Sequence, residues 1–173
     1  MSFPSPSDIL LAHLLKNFMA DIQRTLILLK PDALQRDLLG EVVHRFERKG
    51  LKIVGMKLIR LTDDLLNEHY AHLADRPFFG DLKQFMMQTP VVGMVLEGWD
   101  AIAEVRKIVG STNPREADAG TIRADLSMNT PSNLVHASDA PENASKEIDR
   151  FFNQDELFTY EKISDRYVFG QGV

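Results

Sequence analysis

Apolar residues recur along this chain in two alternating rhythms. Residues 25–30 form a short, nearly continuous apolar run with the length of a buried strand. Leu38, Leu39, Val42, Val43 and Phe46 then recur at helical spacing, and Gly50 closes that helix. Residues 51–61 read as a second strand, after which Thr62-Asp63-Asp64 caps a helix running through Tyr70 and His72. Residues 79–87 are helical, 91–96 form a third strand, and 99–109 form an amphipathic helix ended by Gly110. Leu134 and Val135 make a fourth strand, residues 141–152 a last helix, and the tail to Val173 is irregular. The order β-α-β-α-β-α-β predicts helices packed on one sheet. Periodicity leaves the sheet's parallel or antiparallel sense open.

Two segments break the rhythm. Residues 111–132 have little periodicity and many turn formers, and so long a loop inside a domain is usually functional. Residues 1–23 stand apart from a domain spanning 24–173. Their Ile9, Leu10, Leu11, Leu14, Leu15 and Phe18 suggest an extra amphipathic helix, with Met19 as an alternative start. An aspartate before the apolar stretch and His13 within it fit neither a secretory nor a mitochondrial leader.

Composition narrows the chemistry. The net charge of −5 argues against general nucleic-acid binding, which needs clustered cations, yet a few local cations can still dominate one cleft. With no cysteine, thiol catalysis, disulfides and zinc-thiolate sites are excluded. No apolar run approaches the ~18 residues of a membrane span.

Several phosphate and metal motifs fail on inspection. Gly50 and Gly55 have Walker-type spacing, but Met56 holds the lysine position and the run reads as a strand. His69 and His72 could share a helix face as metal ligands, but no third ligand is implied. Any nucleotide must therefore be held by side chains.

His136 differs by its setting. It follows an apolar run and precedes a helix start, with Ser138 or Asp139 as N-cap, Pro141 near the first helical position and Glu142 in the first turn. A strand-to-helix junction favours an anion, although spacing alone fits a structural histidine equally well. Arg106 lies only about 40° around its helix from Ile102, leaning toward the core boundary where an arginine needs an anion. Glu147 flanks the inner face formed by Ala144, Ile148 and Phe151, within reach of the preceding strand end. Solvated edge residues remain the alternative for both.

The motifs, taken in order, are Lys30-Pro31-Asp32, His69-Tyr70, Arg76-Pro77-Phe78-Phe79, Thr112-Asn113-Pro114, Gly120-Thr121-Ile122-Arg123 and Asn133-Leu134-Val135-His136-Ala137-Ser138-Asp139. Together they resemble nucleoside diphosphate kinase from Arg24 onward. The resemblance implies a ferredoxin-like α+β sandwich with a four-stranded antiparallel sheet. It also implies γ-phosphoryl transfer from a nucleoside triphosphate to a nucleoside diphosphate through a phosphohistidine, with broad base specificity.

By the same resemblance His136 is the nucleophile and Glu147 fixes its tautomer. Lys30 and Asn133 bind the ribose, Lys30 also reaching the transferring phosphate. Arg106, Thr112 and Arg123 grip the polyphosphate, Tyr70 lies beside the histidine, and Phe78 stacks on the base. Mg²⁺ rides on the nucleotide, and a cytoplasmic homo-oligomer, hexamer or tetramer, is implied. Ala124, Leu126, Thr130-Pro131-Ser132 and Ala137 depart from the family's usual residues in the loop that lines the base and helps assembly. A non-enzymatic nucleotide sensor or scaffold is the rival. It would be favoured by loss of the histidine, a phosphate arginine or Lys30, and all are present.

Overall fold

The first apolar run becomes an inner strand with both faces covered, which is why it lacks polar alternation. The computed structural model describes residues 21–169. Strand β1 (Ile22–Leu29) leads through α1 (Pro31–Gln35) and α2 (Leu39–Lys49) into β2 (Lys52–Ile59). Helices α3 (Asp63–His69) and α4 (Phe79–Met86) precede β3 (Val91–Trp99). Next come α5 (Ala101–Val109), α6 (Ile122–Leu126), β4 (Val135–Ala137), α7 (Pro141–Phe151) and α8 (Asp165–Val168). The sheet order is β2-β3-β1-β4 with every neighbouring pair antiparallel. That is the ferredoxin-like arrangement.

Successive strand residues face opposite ways, so the sheet has two cores. Ile27, Leu29, Met94 and Leu96 pack with Phe46, Val105, Val109 and Ile122 on one face. Leu26, Leu28 and Val95 pack with Leu66, Met86, Ile148 and Phe151 on the other. Each fully buried Leu or Phe contributes roughly 1.5–3 kcal/mol. Register on the open part of the sheet is reinforced by charge: Glu97 faces both Arg24 and Lys52 and bonds to each.

Local signals explain the helix ends. Thr62 accepts the Leu65 N–H and starts α3, and Gly50 closes α2 at φ 98°, a left-handed conformation that glycine adopts without strain. Elsewhere the structure departs from the pattern. Trp99 ends β3 rather than opening a helix, because Asp100, at φ 46°, turns the chain first. The segment 111–132 is not one loop: it holds a 3-10 turn (Pro114–Glu116) and α6, capped by Thr121. Both are too short to display a period. Helix α1, with Pro31 in its first turn, escapes the pattern for the same reason. The tail is less irregular than its composition suggests, since it carries α8 and runs along β2, where Phe158 N–H donates to Val54 C=O.

The leader helix expected before Ile22 falls outside the described residues. Among the described residues, no helix is long and apolar enough to cross a membrane.

Candidate active site

β4 does not stop before the histidine, as the apolar run suggests, but runs through it. Leu134 is outside the strand and His136 is its middle residue, paired with Leu28 of β1. Strand alternation sends Val135 and Ala137 into one core and turns His136 toward α3 and α7. The α7 N-cap is Ala140, not Ser138 or Asp139. Ser138 Oγ instead accepts the Leu26 N–H at 3.2 Å and donates to Glu147 Oε2 at 2.6 Å. Asp139 accepts from Asn143 at 2.7 Å.

Glu147, the residue before the buried Ile148 on α7, completes a polar chain. Its Oε1 lies 3.1 Å from His136 Nε2. Burial alone pushes the carboxyl up. The His136 hydrogen bond and charge, with Ser138 and His69, outweigh that and hold it down at about 2. An anion at Nε2 favours the tautomer protonated there, which leaves the Nδ1 lone pair available.

His69, the last residue of α3, packs edge-on against His136 with ring centroids 4.6 Å apart. Burial first, then the charge of His136, lowers its imidazole to about 3, so it stays neutral. His72 sits in the following 3-10 turn, so the two histidines do not form a metal pair on one helix face. Tyr70 is buried beside them, its ring 6.1 Å from His136, and burial followed by the Glu147 charge raises its phenol.

The cationic half of the site is built around a strained turn. Leu134 has φ 67°, and Val135 N–H donates back to Asn133 C=O at 2.8 Å, which defines a γ-turn. Such backbone costs on the order of 1–3 kcal/mol and needs outside support. Lys30 N–H donates to Leu134 C=O at 2.8 Å, and Asp32 Oδ2 accepts Leu134 N–H at 3.0 Å. Asn133 then accepts from Lys30 Nζ at 2.6 Å and donates to Thr112 C=O at 2.9 Å. Burial, then the Arg123 charge, lowers the Lys30 ammonium to about 8, with Asp32 opposing.

Arg123 of α6 is buried and donates to the carbonyls of Asn133, Gly110 and Val135 at 3.3, 2.9 and 2.6 Å. Gly110 turns its carbonyl there at φ 84°, where an added Cβ would meet Thr121 Oγ1 at 2.5 Å. Three of five guanidinium donors are thus committed, and the charge remains. Burial and then Arg106 lower this group to about 10. Arg106 itself is exposed rather than set at the core boundary; its 40° offset carries it to solvent on the cavity side.

All nine site residues expected from sequence come together. Lys30, Tyr70, Phe78, Arg106, Thr112, Arg123, Asn133, His136 and Glu147 line one cavity of about 950 Å³. Phe78 is half exposed, and Thr130 and Pro131, two of the unusual loop residues, line the cavity too. Sequence reasoning missed His69 and Asp32 as members of this cluster and read Ser138 only as a cap. Their signals were present in the His-Tyr pair and the Lys-Pro-Asp triplet, but neither spacing says what those side chains face.

Known proteins resemble this chain over most of its length. The nucleoside diphosphate kinase family pattern matches residues 23–157. A nucleoside diphosphate kinase of Parabacteroides distasonis is 53% identical over 140 residues, covering 81% of this chain and 92% of the relative. One of Methanobrevibacter smithii is 48% identical over 148 residues, covering 86% and 99%. Among solved structures, a halophilic nucleoside diphosphate kinase from Halobacterium salinarum in complex with CDP superposes with a TM-score of 0.83. It is 41% identical, covering 86% of this chain and 99% of that one.

Proposed function

We propose, for a chain that belongs to the nucleoside diphosphate kinase family, that this cavity moves a γ-phosphoryl group from a nucleoside triphosphate to a nucleoside diphosphate by way of His136. The observation that carries the reading is the pairing of His136 Nε2 with the Glu147 carboxylate at the floor of a cavity holding Lys30, Arg106 and Arg123.

The chemistry follows from that pairing. With Nε2–H directed at Glu147, Nδ1 attacks the γ-phosphorus; the N–P bond forms as the bond to the β-phosphate oxygen breaks, and the diphosphate leaves with that electron pair. A second diphosphate then attacks the phosphohistidine in reverse. Lys30, Arg106 and Arg123 offset charge on the phosphates, which is the main task in phosphoryl transfer. Thr112 adds a hydroxyl to the phosphates, Asn133 and Lys30 hold the ribose, and Tyr70 walls the histidine. Phe78 stacks on the base, a contact that every base can make, so specificity is broad.

Mg²⁺ enters on the nucleotide as part of the substrate. Glu147 is already committed to His136 and Ser138, and the cavity cations suit phosphate rather than metal. Residues 1–23 lie outside this catalytic unit, and the protein acts as a cytoplasmic homo-oligomer. The family match beginning at residue 23 supports the first of these. The test is intact mass after incubation with Mg-ATP. One acid-labile phosphoryl adduct is expected on the wild-type chain and none on His136→Ala; an adduct persisting in that variant, or turnover without any adduct, refutes the mechanism.

A further inference from the structure

We propose that Asp32 is a positioning residue of this site, its single carboxylate both holding the strained turn at Leu134 and keeping the neighbouring Lys30 ammonium protonated for phosphate. The proposal rests on the phosphate role of Lys30 given above.

Asp32 lies in the first turn of α1, which begins at the residue after Lys30. It is buried, 8% exposed, in a region where an anion needs a reason to be. One oxygen has its reason: Oδ2 accepts the Leu134 N–H at 3.0 Å. That peptide is the centre of the γ-turn which aims Asn133 at Lys30, and Asn133 Oδ1 receives Lys30 Nζ at 2.6 Å. Backbone and side chain thus form a closed circuit. Lys30 N–H holds the Leu134 carbonyl, Asp32 holds the Leu134 N–H, and the turn between them presents the acceptor for the lysine's own ammonium.

The second oxygen, Oδ1, is buried with no hydrogen-bond partner among the described residues. A neutral acceptor would have served the turn alone. A carboxyl group with one idle oxygen is explained by electrostatics: Asp32 and Lys30 hold opposite ends of Leu134, and an anion on that turn favours the charged form of a buried ammonium across it. Lys30 needs such help, because its burial and Arg123 both disfavour the charged form and Asp32 is the group that opposes them. The cavity that Lys30 lines also carries Arg123 from α6, Arg106 from α5, His136 from β4, Tyr70 with His69 from the end of α3, and the acids Glu147 from α7, Asp81 from α4 and Asp139 between β4 and α7. Of these acids, Glu147 is already paired with His136, Asp139 accepts from Asn143, and Asp81 is exposed.

The carboxyl-to-amide change separates the two roles. Asp32→Asn keeps an oxygen for the Leu134 N–H and removes the charge, so the fold, read by circular dichroism, is retained. The Lys30 side-chain NMR titration, assigned by its loss in Lys30→Ala, should move to lower pH in Asp32→Asn. Its kcat/KM deficit against wild type should then grow roughly tenfold between about pH 6.5 and about pH 9, as Lys30 loses its proton early. A purely structural role would give a deficit that does not change with pH. That result, with the Lys30 titration unmoved, overturns the proposal. Asp32→Ser is the second uncharged variant, and the same titration and pH dependence are required of it should Asp32→Asn not fold. Full activity in Lys30→Ala would remove the phosphate role of Lys30, leaving the Asp32–Lys30 coupling to be decided by the titration alone.

Discussion

Strands β3 and β4 belong to one sheet and do opposite work. β3 is nine residues long, is paired on both sides, and is apolar and buried through most of its length. β4 is three residues long, pairs with β1 alone among the described residues, and lies beside the buried polar groups Lys30, Asp32, Arg123, Asn133 and Ser138. A central strand satisfies its backbone from its neighbours and can be buried among hydrocarbon. A short edge strand leaves carbonyls such as that of Val135 to be met by side chains, and here Arg123 meets it together with the Asn133 carbonyl just before the strand. The groups that complete the edge are therefore the groups left facing the cavity. Stability is concentrated at β3 and chemistry at β4, and the two should be separable.

The largest expected effect tests that separation from the β3 side. Leu96→Ala, at a fully buried position, should cost about 2–5 kcal/mol in urea unfolding while leaving kcat per folded molecule unchanged. Collapse of activity in the folded fraction would mean that the sheet centre and the site are coupled.

The two arginines sharpen the comparison within the site. Arg123→Ala and Arg106→Ala should each lower kcat/KM by at least ~100-fold, or about 2.7 kcal/mol. Arg123→Ala alone should also lower stability, by on the order of 1–3 kcal/mol, because three carbonyls lose their donor. Equal melting temperatures for the two variants would break the distinction between a buried and an exposed cation.

Acid should find the polar side of the sheet first. His69 is lowered by burial from 6.5 to about 3, so the unfolded chain takes up the proton that the folded chain refuses. Its contribution is complete above 6.5 and is lost as pH falls from there toward about 3. Between neutrality and about pH 4 this amounts to a loss on the order of 3 kcal/mol, which His69→Leu should abolish. Unfolding curves across that range with the same slope in both proteins would contradict it.

The smallest effect concerns geometry against charge at Glu147. Glu147→Gln can still accept from His136 and meet the Ser138 hydroxyl, so it should lose less kcat than Glu147→Ala, which does neither. Equal losses would assign the effect to the negative charge alone.

Much of this was written in local pattern. The run 25–30, the spacing of Val42 and Phe46, the stop at Gly50 and the cap at Thr62 each act over a few residues, so the sequence determined them alone. The motif set likewise pointed to nine residues that the fold brings to one cavity. Tertiary structure decided what those signals cannot encode. Strand periodicity is the same in parallel and antiparallel sheets, so the order β2-β3-β1-β4 came from packing. Helix-wheel geometry put Arg106 near the core and was silent on Arg123, which lies in a five-residue helix too short for a period. The fold exposed the first and buried the second. The nearness of His69 to His136, and of Asp32 to Leu134, joins segments far apart in the chain, and such contacts exist only after the sheet has closed. Local preference is a property of neighbours in sequence, whereas burial, hydrogen-bond partners and pKa values belong to neighbours in space.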